Sequence, residues 1–173
     1  TLTREDLYHA RHLPGYMYTS RDIFDEEIDK IFMKDWLCVA RVEQFPKKGD
    51  YKALRIAGEP VIIARNDKGK LNAFSNVCKH RGVEVAPVGT GNAKEFSCPY
   101  HGWLYDESGQ CLEMPAEAPD STFPSRVALK AYPVEELGGL VFAYLGPEPA
   151  PLVPHWRPFV RKGIRDIGWA VVG

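Results

Sequence analysis

The pattern of apolar and polar residues changes once along the chain, close to Trp36. Before that point, five large apolar residues recur at the three- and four-residue spacing of a single helical face: Ile23, Phe24, Ile28, Ile31 and Phe32. Thr19 and Asp22 resemble a capping box, and acidic residues crowd the first turns that follow. The pattern therefore predicts an N-terminal α-helix over about residues 20–34.

After Trp36 the chain consists of short apolar or β-branched runs separated by Gly, Pro and Asp, which is typical of strands. Three tight turns are predicted between such runs, at 66–70, at Ser108-Gly109 and at Gly138-Gly139. The fold class predicted for the stretch from about Trp36 to Leu145 is therefore mostly β, with antiparallel strands.

The predicted domain organisation has three parts. Residues 1–35 form the helical segment, residues 36–147 form the β domain, and residues 148–173 form a linker and the start of a further domain. The linker is assigned because GPEPAPLVPHWRP places five prolines in a short stretch. The sequence starts with Thr and ends in the apolar run DIGWAVVG, so we expect a further domain beyond residue 173.

Composition argues against several functional classes. The net charge is −1, so no strong basic field indicates a nucleic-acid partner. No apolar run approaches the roughly 18 residues that a membrane helix needs, and the N-terminus lacks the apolar core of a signal peptide. Four cysteines in 173 residues do not make a disulfide scaffold. We expect a reduced, cytoplasmic protein without a nucleic-acid or membrane partner.

Two short clusters, NVCKHRGVEV and SCPYHGWLYD, each contain one cysteine and one histidine. Their pattern is Cys78-x-His80 followed by Cys98-x-x-His101. Thiolate and imidazole suit zinc, copper or iron. Cys₂His₂ zinc sites usually pair like with like, whereas mixed pairs suit a [2Fe–2S] centre with two thiolates on one iron and two imidazoles on the other. The spacing favours the two-iron site and leaves zinc as the alternative.

The residues around the clusters resemble the two cluster-binding loops of Rieske proteins. The match is specific at the four candidate ligands and at Gly82, Pro99 and Gly102, and it extends over roughly residues 36–146. The resemblance implies a Rieske-type antiparallel β-sandwich with a cluster-binding subdomain of two loops, in addition to the N-terminal α-helix.

The same resemblance implies roles for individual residues. Four of them would bind the cluster, with Cys78 and Cys98 on the inner iron and His80 and His101 on the outer iron. Tyr105 matches the family's tyrosine that hydrogen-bonds a ligand sulfur. Trp103 is expected to pack behind the loops, and Arg81 is expected to face an acidic redox partner. Residues 112–119 resemble the proline-containing loop that shields the cluster.

Three positions indicate which Rieske class this is. Respiratory and photosynthetic Rieske proteins have an extra cysteine in each loop and a serine after the last His-Gly, but here those positions hold Val83, Tyr100 and Trp103. Without the serine hydroxyl at position 103, the cluster sulfur receives fewer hydrogen bonds. The reduced cluster is then less stabilised, which lowers its reduction potential. We predict a midpoint in the lower part of the Rieske range, which runs from about −150 to +300 mV.

The layout of helix, β region and proline-rich exit resembles the α subunit of ring-hydroxylating Rieske non-heme iron oxygenases. This resemblance implies that the chain receives electrons from a reductase or ferredoxin and that the electrons leave through His101. The acceptor would be a mononuclear Fe(II) in the C-terminal domain of a neighbouring subunit, where O₂-dependent hydroxylation takes place. It also implies a homotrimer, α₃, possibly with β subunits. A free-standing Rieske-type ferredoxin is the alternative, while the missing disulfide and membrane anchor argue against a membrane-complex subunit.

No catalytic residue is predicted within this chain. The remaining histidines, His9, His12 and His155, have no accompanying acidic motif and are interpreted as surface or packing residues. Cys38 is predicted to be a small buried hydrophobic residue, and Cys111 has no histidine neighbour and is not predicted to be a ligand.

Overall fold

The computed structural model describes residues 8–9 and 11–153, and its first elements are helical. Helix α1 covers Tyr16–Thr19, helix α2 covers Arg21–Lys30, and a turn of 3-10 helix covers Phe32–Lys34. The cap of α2 is Ser20, whose Oγ accepts a hydrogen bond from the Ile23 N–H at 3.4 Å. The predicted cap at Thr19 is therefore wrong by one residue, and the single helix predicted over 20–34 is divided after Lys30.

The apolar face of this segment is poorly covered within the described part of the chain. No residue of α1 or α2 is buried. Phe24 is 46% exposed and Ile31 is 55% exposed. The apolar spacing thus predicted a helical segment correctly, but its apolar side chains are not buried among the described residues. Among the described residues, no helix combines the length and apolar character needed to span a bilayer.

The rest of the described chain is built from antiparallel strands in three sheets, which confirms the predicted mostly-β fold. The strands are β1 Trp36–Arg41, β2 Asp50–Ile56, β3 Glu59–Arg65, β4 Leu71–Ser75, β5 Gly89–Asn92, β6 Glu95–Ser97, β7 Leu104–Asp106, β8 Cys111–Glu113, β9 Ala131–Tyr132, β10 Val134–Leu137 and β11 Leu140–Tyr144. The sheet orders are β1-β11-β10, β5-β2-β3-β4-β9 and β6-β7-β8. Single 3-10 turns lie at Val42–Gln44 and Pro124–Arg126.

The three predicted hairpins are present. Residues 66–70 join β3 to β4, with the Asn66 N–H donating to the Lys70 carbonyl at 2.9 Å. Ser108-Gly109 joins β7 to β8, and Gly138-Gly139 joins β10 to β11. Residues 131–137, which precede the last turn, do not form one strand, because Pro133 divides them. β9 pairs with β4 and β10 pairs with β11, since proline has no N–H to continue a ladder.

Strand β3 lies between two hydrophobic cores and explains how the sheets are layered. Its side chains alternate, as strand geometry requires. Ile62 and Ala64 pack in the core that underlies the small sheet β6-β7-β8. Val61 and Ile63 pack in the core shared with β11 of the sheet β1-β11-β10. The first core also contains both candidate ligand cysteines. The candidate site therefore lies on the side of β3 that Ile62 and Ala64 face.

Cys38 is exposed, so its predicted burial is wrong. Strict alternation along β1 would place Cys38 and Ala40 on the same face. The register between β1 and β11 shifts between these two residues. Ala40 is therefore buried, while Cys38 is exposed.

A close backbone approach makes Gly91 a sensitive position in the fold. Gly91 pairs with Tyr51 across β2 and β5, and a Cβ at Gly91 would lie 2.7 Å from Tyr51 Cε1. Tyr51 is held in turn by an edge contact with Phe96, with ring centroids 5.1 Å apart. Gly91→Ala should therefore lower the free energy of unfolding by about 1–3 kcal/mol, as measured by denaturant titration.

Gly15→Ala is the matched control. Gly15 has a helical φ of −55°, and nothing lies within 4 Å of a Cβ built there. The free energy of unfolding should change by less than about 0.5 kcal/mol. Equal stability of the two variants would contradict the steric argument at Gly91.

Candidate [2Fe–2S] site

Two loops, 78–83 and 98–103, present the candidate ligands in the same backbone frame. The Cys78 N–H donates to the Val83 carbonyl at 2.9 Å, and the Cys98 N–H donates to the Trp103 carbonyl at 2.8 Å. In each loop the glycine four residues after the cysteine donates back to the cysteine carbonyl, at 3.0 Å in both cases. The loops are thus closed by matching pairs of hydrogen bonds, although their Cys–His spacings differ.

The matching frame depends on glycine at one position in each loop. Gly82 has a φ of +73° and Gly102 a φ of +72°. Glycine adopts this left-handed region without the steric penalty that a Cβ imposes. The tip of each loop can therefore reverse direction, and the three residues between the cysteine and the glycine are exposed. His80 is the second of the three in its loop, and His101 is the third in its loop.

The four candidate ligands are arranged with sulfur inside and imidazole outside. Cys78 is 2% exposed and Cys98 is 3% exposed, while both histidines are exposed. The rings of His80 and His101 come from opposite loops and lie 4.5 Å apart between centroids, at 62° to each other. The sequence-predicted set is therefore brought together at the end of the small sheet, with a distinct buried side and open side.

The chemistry of these donors fits a two-iron cluster. Two buried thiols and two open imidazoles match the two thiolates and two imidazoles that such a centre needs. The pKa of His80 is lowered, first by desolvation and then by the positive charges of His101 and Arg81. The neutral imidazole, which is the metal-binding form, is thereby favoured. Over residues 8–9 and 11–153, no group of three His, Cys, Asp or Glu side chains is arranged around a single ion position.

Tyr105 provides a polar contact on the buried side. Its Oη lies 3.3 Å from Cys78 Sγ and accepts a hydrogen bond from the Lys79 N–H at 3.2 Å. Burial, followed by the neighbouring Cys78, raises the pKa of Tyr105 well above its usual value, so the hydroxyl keeps its proton. Because a backbone donor already occupies the oxygen from one side, the O–H is free to donate to the sulfur.

Trp103 packs against the core that contains Cys78 and Cys98. Its indole also stacks on His80, with centroids 4.9 Å apart and an interplanar angle of 8°. On the other histidine, the Tyr100 ring lies 3.8 Å from the His101 ring between centroids. The predicted shielding segment 112–119 does lie against the second loop, because a Cβ at Gly102 would be 3.3 Å from Pro115 Cγ. Arg81 is exposed at the tip of the first loop.

The sequence profile of the Rieske [2Fe-2S] domain matches residues 35–133, which include both loops and the strands beneath them. The chain belongs to the Rieske [2Fe–2S] domain family. Its relatives are oxygenase α subunits, as predicted. The prediction of a Rieske [2Fe–2S] domain is therefore confirmed.

Particular relatives define the match more closely. The benzene 1,2-dioxygenase subunit alpha of Pseudomonas putida is 35% identical over 138 residues, covering 78% of this chain and 30% of that protein. The N,N-dimethyl phenylurea N-demethylase subunit alpha of a Sphingobium species is 33% identical over 161 residues, covering 91% of this chain and 33% of that protein. The chain thus spans about a third of the length of these curated relatives.

A solved structure gives the same result for the fold. A quaternary ammonium Rieske monooxygenase is 34% identical, with a TM-score of 0.74 over 83% of this chain and 40% of the other. The likeness in fold therefore covers most of this chain.

Asn76 is a site residue that the sequence reasoning missed. It is 1% exposed, and its side chain makes three hydrogen bonds to the segment after the first loop. Oδ1 accepts from the N–H groups of Val85 and Ala86 at 3.0 and 2.9 Å, and Nδ2 donates to the Ala86 carbonyl at 2.7 Å. Nothing in the local pattern indicated this role, because Asn is also common in exposed turns. The side chain fastens the base of the loop that contains Cys78 and His80.

Asn76→Ala should destabilise the Rieske domain by about 2–4 kcal/mol, because the Ala86 N–H and carbonyl lose their side-chain partner and the Val85 N–H keeps only the Asn76 main-chain carbonyl, at 3.0 Å. Denaturant unfolding of the cluster-loaded protein measures this. Asn72→Ala is the matched control, since Asn72 makes one part-buried hydrogen bond, from Nδ2 to the Glu107 carbonyl at 3.0 Å. That variant should lose about 1 kcal/mol. Similar losses in the two variants would contradict the anchoring role.

The remaining candidates lie away from the loops or contribute to packing. Cys111 is 3% exposed in the core, and its Sγ donates to the Glu113 carbonyl at 3.6 Å. Burial raises the pKa of the Cys111 thiol. His12 is exposed in the N-terminal segment, as is His9. His155 lies outside the described residues.

Proposed function

We propose that this chain is the electron-transfer domain of a Rieske oxygenase terminal component. It accepts an electron from a reductase or ferredoxin and delivers it to a mononuclear Fe(II) site in a C-terminal domain, for O₂-dependent hydroxylation of an organic substrate. The observation that supports this most directly is the two-sided site, with buried cysteines on one side and exposed histidines on the other. Such a site takes up and releases electrons at its open side.

The proposed ligands are Cys78 and Cys98 on the buried side and His80 and His101 on the open side. When bound, the [2Fe–2S] cluster supplies one-electron redox chemistry. The two loops hold the four donors through their backbone hydrogen bonds, and Tyr105 donates its O–H toward Cys78 Sγ. Burial of the cysteines keeps water from the sulfur side.

His101 is the proposed exit for the electron. Its ring is exposed at the tip of the second loop, beside Tyr100, which is 60% exposed. A partner that approaches this face can contact the imidazole without moving either loop. The solved structure of the quaternary ammonium Rieske monooxygenase is described as giving insight into inter-subunit electron transfer. We infer that the assembled protein is at least a homotrimer, α₃, in which His101 faces a neighbouring subunit.

The proposal assigns electron delivery to this domain and substrate chemistry to the C-terminal domain. The matched relatives are named a dioxygenase and an N-demethylase, although both align with this chain over most of its length. The reaction type is therefore determined outside the Rieske domain. We infer no catalytic residue in this chain, and we assign the protein to the reducing cytoplasm.

The test uses the recombinant chain of residues 1–173, purified without exposure to oxygen. We expect a red-brown protein with about two irons per chain and a Rieske-type EPR signal after reduction. We also expect rapid reduction by a ferredoxin and no hydroxylation of an aromatic substrate when Fe(II) and reductant are supplied. A colourless, zinc-containing protein would refute the ligand assignment, and hydroxylation by this chain alone would refute the division of roles.

A free-standing ferredoxin-like carrier is the alternative. Full-length protein distinguishes the two readings, because an oxygenase component should bind additional iron beyond the cluster and consume O₂ with substrate. His101→Asn in full-length protein should abolish both cluster binding and substrate turnover, because His101 is also a proposed ligand. A carrier would instead pass its electron to a soluble acceptor, with no iron beyond the cluster.

A further inference from the structure

Trp103 joins the two loops through a side-chain contact on an exposed ligand candidate. It belongs to the second loop, yet its indole stacks on His80 of the first loop, almost parallel at 8° and with centroids 4.9 Å apart. His101 lies on His80 as well, at 4.5 Å and 62°. The imidazole of His80 is therefore confined by two rings that both come from the opposite loop.

The indole is itself held in place. The Trp103 carbonyl accepts the hydrogen bond from Cys98 that closes the second loop, at 2.8 Å. The Phe123 ring meets the indole edge-on, with centroids 6.4 Å apart at 86°. Trp103 also packs against the core that contains Cys78 and Cys98. A side chain fixed by backbone, ring and core contacts presents a rigid face to His80.

The two histidines differ in how they are restrained. The ring nearest to His101, apart from His80, is Tyr100, which belongs to the same loop and is 60% exposed. Tyr100 therefore does not link His101 to the first loop. His80 has a partly buried indole from the other loop against its face. The structure thus supports one exposed ligand candidate with a ring from the opposite loop that packs on the core, and gives the other an exposed neighbour from its own loop.

We propose that Trp103 is a positioning residue for His80. The indole fixes the plane of the imidazole and covers one of its faces from water, so that the first loop offers His80 in a single orientation. This inference rests on the proposed ligand set. It gives Trp103 a function beyond marking the position at which respiratory and photosynthetic Rieske proteins have a serine.

The physical basis is the freedom of an exposed imidazole. His80 lies at the loop tip and is exposed, so its terminal torsion would otherwise sample a broad range of angles. Offset stacking of aromatic rings is favourable and limits that range. Residues that orient metal ligands typically change metal affinity by about tenfold to a hundredfold when they are replaced. We therefore expect a comparable effect on retention of the cluster.

The experiment compares cluster-loaded wild type with Trp103→Leu and Trp103→Phe. The leucine retains apolar volume without a ring face, and the phenylalanine retains a ring. Trp36→Leu is the matched control, because Trp36 is also partly buried but lies on β1, packed on Tyr144 with centroids 5.7 Å apart. Pulsed EPR of the reduced protein measures the nitrogen couplings of the two histidines. Transfer of iron to a chelator measures the rate of cluster loss.

Trp103→Leu should alter the couplings of one histidine and leave the other unchanged, and it should lose iron about tenfold faster than wild type. Trp103→Phe should restore most of both properties, and Trp36→Leu should match wild type in both. Wild-type couplings in Trp103→Leu, even with lower thermal stability, would show that Trp103 only packs. Absence of a Rieske EPR signal in wild type would instead overturn the ligand set, and this inference with it.

Discussion

Replacing Cys98 with serine is expected to remove the cluster almost completely. We expect iron and acid-labile sulfide per chain to fall by at least about tenfold, with loss of the visible absorption and the EPR signal. A thiolate is a soft ligand, whereas a serine hydroxyl stays protonated near neutral pH and binds iron poorly. Cys98 is 3% exposed, so water cannot easily reach the iron to take the place of the lost thiolate.

Cys111→Ser is the matched control for this change. Cys111 is also 3% exposed and lies in the same core. It lies outside both loops, its Sγ donates to the Glu113 carbonyl at 3.6 Å, and burial raises the pKa of its thiol, which favours the protonated form. Iron and sulfide contents should therefore equal those of wild type. Equal losses in the two variants would show that general packing of the core, and not ligation, holds the cluster.

Replacing Tyr105 with phenylalanine is expected to lower the midpoint potential of the cluster by on the order of 60 mV. The Oη lies 3.3 Å from Cys78 Sγ, and the Lys79 N–H leaves its proton free to donate to that sulfur. A hydrogen bond to a ligand sulfur stabilises the reduced, more negative state more than the oxidised state. A tenfold weaker preference for the reduced state corresponds to about 59 mV in a one-electron couple. Protein-film voltammetry or a redox titration at one fixed pH measures the shift.

Tyr132→Phe is the control for the loss of a buried phenol oxygen. Tyr132 is 8% exposed and packs in the other core, away from both loops. Its replacement should leave the potential unchanged. A Tyr105→Phe potential equal to that of wild type would contradict the hydrogen bond to Cys78. The wild-type midpoint itself is predicted in the lower part of the range from about −150 to +300 mV, and a value well above zero would contradict that prediction.

Local chemistry made the site predictable. Ligand identity requires particular side chains, and a glycine is needed where each loop reverses, so Cys78, His80, Cys98 and His101 could be found with Gly82 and Gly102 from the sequence. The hairpins were predictable for the same reason, since their turns need residues such as Gly69, Gly109 and Gly139 that adopt positive φ. These requirements act within a few residues and leave a direct trace in the sequence.

Contacts between distant segments were not predictable in this way. Cys38 resembles a buried strand residue, and its exposure depends on a register shift against β11. Asn76 resembles a turn residue, and its buried role depends on the path of residues 85–86. In each case the deciding partner lies elsewhere in the chain, so a local pattern contains no information about it.

The sequence by itself determined the four ligand candidates, the antiparallel β class and the class of Rieske protein, because each depends on residue type at short, defined spacing. The tertiary structure decided which side chains surround those ligands. It gave both loops the same hydrogen-bonded frame, turned the Tyr105 hydroxyl toward Cys78 Sγ, and placed Trp103 flat against His80. The physical reason is that stacking and burial depend on the packing of separate segments, which only the folded chain brings together.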